Sequence, residues 1–296
     1  MELQSVEVEA VRSLWLPMQE TLILPIGDIQ LDPVVKDKPR ACDIKRLKKY
    51  VEWGVAHGGY FLGMGDYVDV MSPSNRERYK SAGFYDSVQD ALESKAEEVE
   101  DELRDILAPT RGRWLGLLEG HHFFPHSDGS TTDTRLANYL GTSFLGTSAM
   151  VEVKFEAAGK HAAPSFVIWA HHGRAGGKLL ATPLNQLEGV MKSFEADVYL
   201  VGHHHKKVAG KYPLVKTEFA TRGNKHHLVH KNRILACTGS YLKGYQEYSQ
   251  REGRAQGGYV EAGMMNPVAL GGIVLVARPR YEDHHRVATV DLDVVL

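Results

Sequence analysis

Five times along the chain, a short apolar run ends in a turn whose first residues can bind a metal ion. The turns read IGDIQ (Asp28, Gln30), MGDYVD (Asp66), EGHHFF (His121, His122), WAHHGR (His171, His172) and VGHHHKK (His203, His204, His205). Runs this short, bounded by glycine, read as buried strands. In an open α/β sheet, ligands bind in the crevice outside the carboxyl ends of the strands. Five strands that each deliver Asp or His to that edge can converge on one crevice. A single Gly-Asp after a strand is ordinarily just a turn, but packing alone does not require an ordered series of five.

The segments between these runs suit an α/β chain. Residues 42–58 predict an amphipathic helix, with Leu47, Val51 and Val55 one turn apart, Asp43 in the first turn and Gly58 and Gly59 at the end. It separates strands at 21–28 and 60–66, so a right-handed crossover between parallel strands is expected. Residues 87–107 predict a long helix with Val88, Leu92, Ala96, Val99, Leu103 and Ile106 on one face and an acidic, solvated remainder, stopped by Pro109. Further strands are expected at 113–120, 150–156, 165–170, 197–202, 233–239, 272–277 and 287–294. Helices are expected at 132–140 and 184–194. Residues 246–272, rich in glycine and polar side chains, predict an irregular surface excursion.

Composition narrows the function class. The formal charge of −2 gives no global attraction to nucleic acid or membranes, so any anion-binding patch must be local. The 15 histidines fall mostly in clusters, and imidazole is the commonest side-chain ligand of transition metals. Cys42 and Cys237 form no CxxC pair and read as buried thiols of a reducing compartment. The segment MELQSVEVEAVRSLW lacks the basic and apolar pattern of a signal peptide, and no run approaches the ~20 apolar residues of a membrane span. A soluble, cytoplasmic protein with no membrane partner is expected, in the host cytoplasm if it is phage-encoded.

Taken in order, these motifs resemble those of the calcineurin-like metallophosphoesterases: Asp-x-His, Gly-Asp, Gly-Asn-His, His-Gly and Gly-His-x-His. The likeness covers residues 22–205, and Thr238-Gly239-Ser240 resembles the family's closing strand end. It is nearer to phage-encoded and prokaryotic nuclease-like members than to eukaryotic protein phosphatases. The resemblance implies a four-layer α/β/β/α sandwich of two mixed sheets flanked by helices. A single domain over 1–296 is expected, with its motif-bearing core at about 21–245 and the excursion at 246–271 before the chain returns to strands.

The resemblance also assigns roles. It implies two divalent ions, Mn first, with Fe, Ni, Zn or Mg as other candidates. Asp28 and His205 would hold the first ion and Asp66 would bridge both. His172 and His203 would hold the second, and His122 would be the catalytic histidine. Gln30 stands in place of the histidine of Asp-x-His, and an amide oxygen is a poorer ligand for a transition metal. His121 stands in place of the asparagine of Gly-Asn-His and is taken as a ligand. Phe123 stands where the family often has an acidic residue that orients the catalytic histidine; Asp128 or His126 could take that task.

The reaction implied is hydrolysis of a phosphomono- or phosphodiester by a hydroxide activated between two metals, with nucleic acid or nucleotides favoured over phosphoprotein. The alternative is a non-hydrolytic binding or assembly protein of the same fold with a degenerate metal site, a reading that Gln30 supports. A metallo-β-lactamase-like site is excluded because VGHHHKK supplies no His-x-His-x-Asp-His run. Alternation along the chain points His204 away from the metals, so His204, Lys206 and Arg174 are taken as substrate neighbours. Residues 206–233 carry Lys206, Lys207, Lys211, Lys216, Arg222, Lys225, Lys231 and Arg233 against Glu218 alone. They read either as a basic rim for a phosphate backbone or as a solvated hairpin. GRAGGK (173–178) lacks the spacing of a nucleotide-binding P-loop. His226, His227, His230, His284 and His285 are expected at the surface.

Overall fold

The computed structural model describes residues 8–83, 85–157, 162–174, 176–220, 225–248, 258–282 and 287–296. Among these, two six-stranded mixed sheets face each other. The first is built from β1 (Val11–Leu16), β6 (Ser148–Phe155), β7 (Ser165–His171), β8 (Val198–Val201), β10 (Lys225–Thr238) and β9 (Lys207–Ala220), in that spatial order. The second runs β12 (Val287–Val295), β11 (Val274–Glu282), β2 (Thr21–Ile26), β3 (Tyr60–Gly63), β4 (Trp114–Leu118) and β5 (Phe144–Gly146). The helices are α1 (Ile44–Ala56), α2 (Pro73–Ala82), α3 (Asp86–Leu107), α4 (Thr132–Leu140), α5 (Thr182–Val190) and the short α6 (Tyr259–Ala262). No helix among the described residues is long and apolar enough to cross a membrane.

Strand alternation builds the layers, because successive side chains point to opposite faces. Phe166, Ile168 and Ala170 of β7, Val198 and Leu200 of β8, and Ile234 and Ala236 of β10 meet Ile23, Leu62, Leu115 and Leu275 in the buried core between the sheets. Their neighbours Trp169, Tyr199, Val201, Leu235 and Cys237 face outward and pack with Leu187 of α5. On the other sheet, Leu24, Ile26, Phe61, Trp114 and Leu117 pack with Leu47 and Val51 of α1, Val99 and Leu103 of α3, and Leu136 and Leu140 of α4. The order of layers is therefore helix, sheet, sheet, helix, as expected. Cys42 and Cys237 are buried free thiols, and burial pushes each up to about 12.

Local chemistry explains the boundaries. Asp43 caps α1 by accepting from the Arg46 backbone N–H at 3.1 Å, and Thr131 and Thr134 form a reciprocal cap on α4. Both helices lie close to their expected ranges. Among the elements that depart from expectation, three matter most. β1 pairs in parallel with β6 outside any predicted strand. α2 is polar throughout and is held at its start by Ser72 and Pro73. β10 begins at Lys225, eight residues before the expected Arg233, and pairs with β9 along its whole length.

That last difference moves the basic segment. β10 runs parallel to β8 only over Ile234–Cys237, so Lys225–Arg233 and its β9 partners continue past the beginning of β8. At ~3.3 Å per residue the two-stranded ribbon projects roughly 30 Å. It leaves from the amino ends of the parallel strands. Apart from Lys206 and Lys207, the described residues of the basic segment therefore form no rim on the crevice at their carboxyl ends, and Arg222 lies outside the described residues. Exposed His226 and His230 lie on this ribbon, whereas His284 and His285 lie outside the described residues.

Candidate metal centre

β2, β3 and β4 run parallel in one sheet, and β7, β8 and β10 run parallel in the other. Asp28, Asp66 and His121 follow the first three; His172, His203 and Ser240 follow the second three. The turns are stitched together. Asp28 N donates to Gly65 O at 2.9 Å and Gln30 N to Asp66 O at 2.9 Å, so the loops after β2 and β3 extend their strand register beyond the sheet. The Ser240 hydroxyl and the Tyr241 N–H both donate to Asp28 O at 3.0 Å, tying in the strand end of β10.

The backbone at these turns is unusual. Eight described non-glycine residues have positive φ, and five of them are Asp28 (47°), Gln30 (46°), Asp66 (55°), His203 (60°) and His205 (57°). A non-glycine residue in the left-handed region costs of order 1 kcal/mol and persists where the surroundings over-determine it, most often at functional sites. Gly120 is required for a different reason. A Cβ there would collide with the Asp66 backbone nitrogen and carboxylate. The turn after β4 can close on Asp66 only without a side chain.

The side chains form a dense donor cluster. One ligand atom from each of Asp66, His121, His172 and His203 lies within 4.8 Å of the others. His172 Nε2 is 3.3 Å from Asp66 Oδ2, and His121 Nδ1 is 3.2 Å from His203 Nδ1. Beside this group, His205 Nε2 lies 3.4 Å from Asp28 Oδ1 and 3.4 Å from Gln30 Nε2. Asp66 Oδ1 accepts the backbone N–H groups of His121 and of His122 (2.9 Å), which leaves Oδ2 to face His172. Asp28 Oδ2 accepts the His203 N–H at 2.8 Å. His172 Nδ1 contacts Met64 O at 2.7 Å, which fixes the ring and presents Nε2 to the cluster.

A divalent cation fits this donor set on two observations. Asp28 Oδ1 and His172 Nε2 are buried with no hydrogen-bond partner, and a buried polar atom left without a partner is costly. Two ring nitrogens, His121 Nδ1 and His203 Nδ1, also face each other. Three imidazoles with one carboxylate suit Zn, Mn or Fe, whereas all-oxygen sites suit Mg or Ca.

Electrostatics without a cation show the same need. Burial, opposed by His172 and reinforced by Asp66, pushes the Asp28 carboxyl up to about 8. Burial would raise Asp66 too, but the His172 imidazole beside it, with further help from the charge and backbone N–H of His122, holds it well below the usual carboxylate range. Burial disfavours the His172 imidazolium, yet Asp66 and Asp28 overcome this and raise it to about 9. Burial lowers His203 and His205 to about 4, leaving both neutral, as a metal ligand must be.

His122 stands apart from the cluster. Its Nδ1 lies 2.9 Å from Asp69 Oδ1, and this contact with the Asp66 and Asp69 charges outweighs burial and raises its pKa. Asp69 is thus the partner that orients His122, which corrects the expectation of Asp128 or His126. Asp128 is engaged by Ser130 and Arg135, while His126 is buried between Glu93 and Glu100. The spacing Asp66-Tyr67-Val68-Asp69 placed two carboxylates on one loop and could have flagged the second.

The residues taken as substrate neighbours divide. Arg174 is exposed just after the His172-Gly173 turn. His204, in the turn between β8 and β9, is buried, with Nε2 on Gln186 Oε1 of α5 at 2.8 Å. Lys206 is also buried, and its ammonium donates to the carbonyls of Gly177 and Leu179. His171 accepts the Gly173 N–H at 2.7 Å and stacks on Trp169, bracing the turn rather than joining the cluster.

No protein-family model matches the chain, and no curated protein does either. Among solved structures, Vps29 from Entamoeba histolytica in complex with zinc is similar at 13% identity and a TM-score of 0.37, over 93% of this chain and 98% of that one. Vacuolar Protein Sorting 29 from Cryptosporidium parvum is similar at 12% identity and a TM-score of 0.34, over 94% and 98%. At such TM-scores nothing about fold or activity rests on the likeness.

Proposed function

We propose that this chain is a metal-dependent phosphoesterase of the calcineurin-like type, hydrolysing a phosphomono- or phosphodiester. The observation that carries the reading is the convergence of Asp28, Gln30, Asp66, His121, His172, His203 and His205 at parallel strand ends, beside a separate His122–Asp69 pair. A site that only stored metal would have no use for a partnered imidazole next to the ligands.

In this reading, Asp66, His121, His172 and His203 would hold one divalent cation and Asp28, Gln30 and His205 another, with Asp66 contributing to both. Manganese is the first candidate, with iron, nickel, zinc and magnesium behind it. The bound cations would polarise a phosphoryl oxygen and supply a water-derived nucleophile at neutral pH. The chain's own residues do the rest. Asp28 and Asp66 balance the positive charge. His122 keeps a proton because Asp69 favours its charged form, and it gives that proton to the leaving oxygen. Asp69 also fixes the ring, so the donating atom is Nε2. Arg174, exposed one residue after the His172-Gly173 turn, would meet the substrate phosphate, and nucleotides or nucleic acid are the favoured substrate class.

A non-hydrolytic reading draws on Gln30, whose amide replaces a stronger ligand beside His205. The two readings separate in one experiment: elemental analysis of metal-loaded protein, followed by assay with Mn on a chromogenic diester, a monoester and DNA. Two equivalents of metal with chelator-sensitive turnover support the phosphoesterase. One equivalent without turnover on any substrate supports the binding protein.

A further inference from the structure

Nothing in the ligand motifs explains how the turn carrying His122 is held from its exposed side. Asp66 fixes that turn from below, by accepting the N–H groups of His121 and His122. Above it lies Arg76, in the first turn of α2. Its Nη1 donates to His121 O at 2.5 Å and to Phe123 O at 3.1 Å, the carbonyls on either side of His122, and reaches Met71 O at 3.4 Å. Its guanidinium carbon sits 4.0 Å above the Phe123 ring.

One planar cation therefore grips the carbonyls of the two residues next to the proposed general acid. All of these contacts come from the single nitrogen Nη1; an ammonium could donate to the same carbonyls but has no flat face to lay on the Phe123 ring. The position of α2 is set locally. Ser72 caps it by accepting from Asn75 N at 3.3 Å, Pro73 occupies its first turn, and the Arg76 N–H returns to Ser72 O at 3.0 Å. The segment from Asp66 to Arg76 thus touches His122 three ways: the carboxylate of Asp66 on its N–H, Asp69 on its ring, and Arg76 on the carbonyls beside it. Phe123 gains a purpose as well, since its ring is the platform on which Arg76 lies.

We infer that Arg76 is a positioning residue for the proposed hydrolysis, holding the His121–Phe123 turn so that the His122 ring stays on Asp69 and faces the crevice. This rests on the phosphoesterase reading for its kinetic expression but not for its geometry. Arg76 touches the backbone carbonyl of His121, but none of the ligand atoms and none of the reacting atoms. Its loss should therefore act on turnover more than on substrate affinity.

The experiment compares Mn-loaded parent, Arg76→Ala, Arg76→Lys and Phe123→Leu on a chromogenic diester, with metal content measured on each sample. Arg76→Ala should lower kcat by ~10–100-fold, part of the ~10²–10⁴ that a general acid contributes, while KM moves less than ~3-fold. Added guanidinium ion should restore kcat toward the parent, and more fully than Arg76→Lys does. Phe123→Leu should cost only a few-fold, because the carbonyls remain. Separately, the rate at which diethyl pyrocarbonate modifies His122, followed by mass spectrometry, should change several-fold in Arg76→Ala and revert with guanidinium. Absence of turnover in the parent would overturn the phosphoesterase reading alone, and the His122 modification rate would still decide the role of Arg76. Unchanged kcat and unchanged His122 reactivity in Arg76→Ala, or a loss accounted for by lost metal and not rescued by guanidinium, would overturn the inference.

Discussion

The two ends of the parallel strands contrast. At the carboxyl ends, polar side chains are buried, the backbone adopts left-handed conformations at five non-glycine positions, and Asp28 Oδ1 and His172 Nε2 have no hydrogen-bond partner. At the amino ends, the β9–β10 ribbon carries Lys211 and Lys231 in ion pairs with Asp293 and Asp197, His230 exposed, and apolar side chains such as Val215 and Leu228 open to solvent. Histidine and charge are abundant at both. Only at the crevice are they placed where burial makes them costly unless something completes them, so clustered histidines indicate chemistry through their burial and not their number.

The sharpest test of that contrast is Asp66→Asn. The amide can keep the two backbone N–H contacts now made to Oδ1, but it offers an NH₂ group where Oδ2 faces His172. Fold should survive while metal affinity collapses, by more than the ~10–100-fold typical of losing a partner of a ligand. Isothermal titration with Mn, paired with circular dichroism, measures both. Retention of two tightly bound ions by Asp66→Asn would remove Asp66 from the centre of the site.

Next in size is the pair outside the cluster. His122→Ala should lower turnover by ~10²–10⁴-fold with metal content near that of the parent. Asp69→Asn should lower it less, and should move the alkaline limb of the pH–rate profile to lower pH because the carboxylate raises the His122 pKa. Metal loss in His122→Ala would instead exchange the roles of His121 and His122.

The chain announced the crevice and concealed its supports. Asp28, Asp66, His121, His172, His203 and His205 each lie within four residues of the end of an apolar run, so burial pattern and chemistry coincided in a few residues. Asp69 was hidden because its partner lies 53 positions away, and only folding brings the β3 and β4 turns together. α2 was hidden because a helix polar on every side has no periodic face, and its value lies in one arginine. The early part of β10 was hidden for a related reason: a ribbon solvated on both faces has no alternation of apolar and polar residues to read. β1 escaped because its pairing with β6 is an edge contact between segments far apart in the chain.

Acid–base linkage gives the third test. Without metal, Asp28 is raised to about 8 by burial, and His172 is raised to about 9 because Asp66 and Asp28 outweigh its burial. Both folded values lie above the unfolded ones of ~3.9 and ~6.5. The stability held in their protonated forms is present at lower pH and is lost as pH rises through 8 and 9. The metal-free protein should therefore lose Tm between pH 7 and 9, whereas cation loading should release protons at pH 7 and raise Tm more at pH 9 than at pH 7. Differential scanning fluorimetry with and without Mn reads the effect. A metal-induced shift in Tm that shrinks as pH rises would mean that the cation binds elsewhere.

The smallest effect belongs to the other end of the strands. Lys231 pairs with Asp197 Oδ1 at 2.5 Å, but the lysine is 39% exposed, and the Asp197 carboxylate also accepts the Val167 N–H at 2.9 Å. Lys231→Ala leaves that second partner in place and opens the aspartate to water, so the lost contact is a surface ion pair worth ~0–1 kcal/mol. Because the ribbon departs from the amino ends of the strands, its charge does not reach the crevice within the ~8 Å screening length of physiological salt. Lys231→Ala and Arg233→Ala together should leave Mn affinity and turnover of a small diester within about 2-fold of the parent, with a Tm change no larger than one such pair allows. Metal titration, a diester assay and thermal unfolding of the double variant measure the three quantities. A ten-fold loss of turnover on the small diester would show that the two ends are coupled through β8 and β10, and that burial alone does not separate the working histidines from the idle ones.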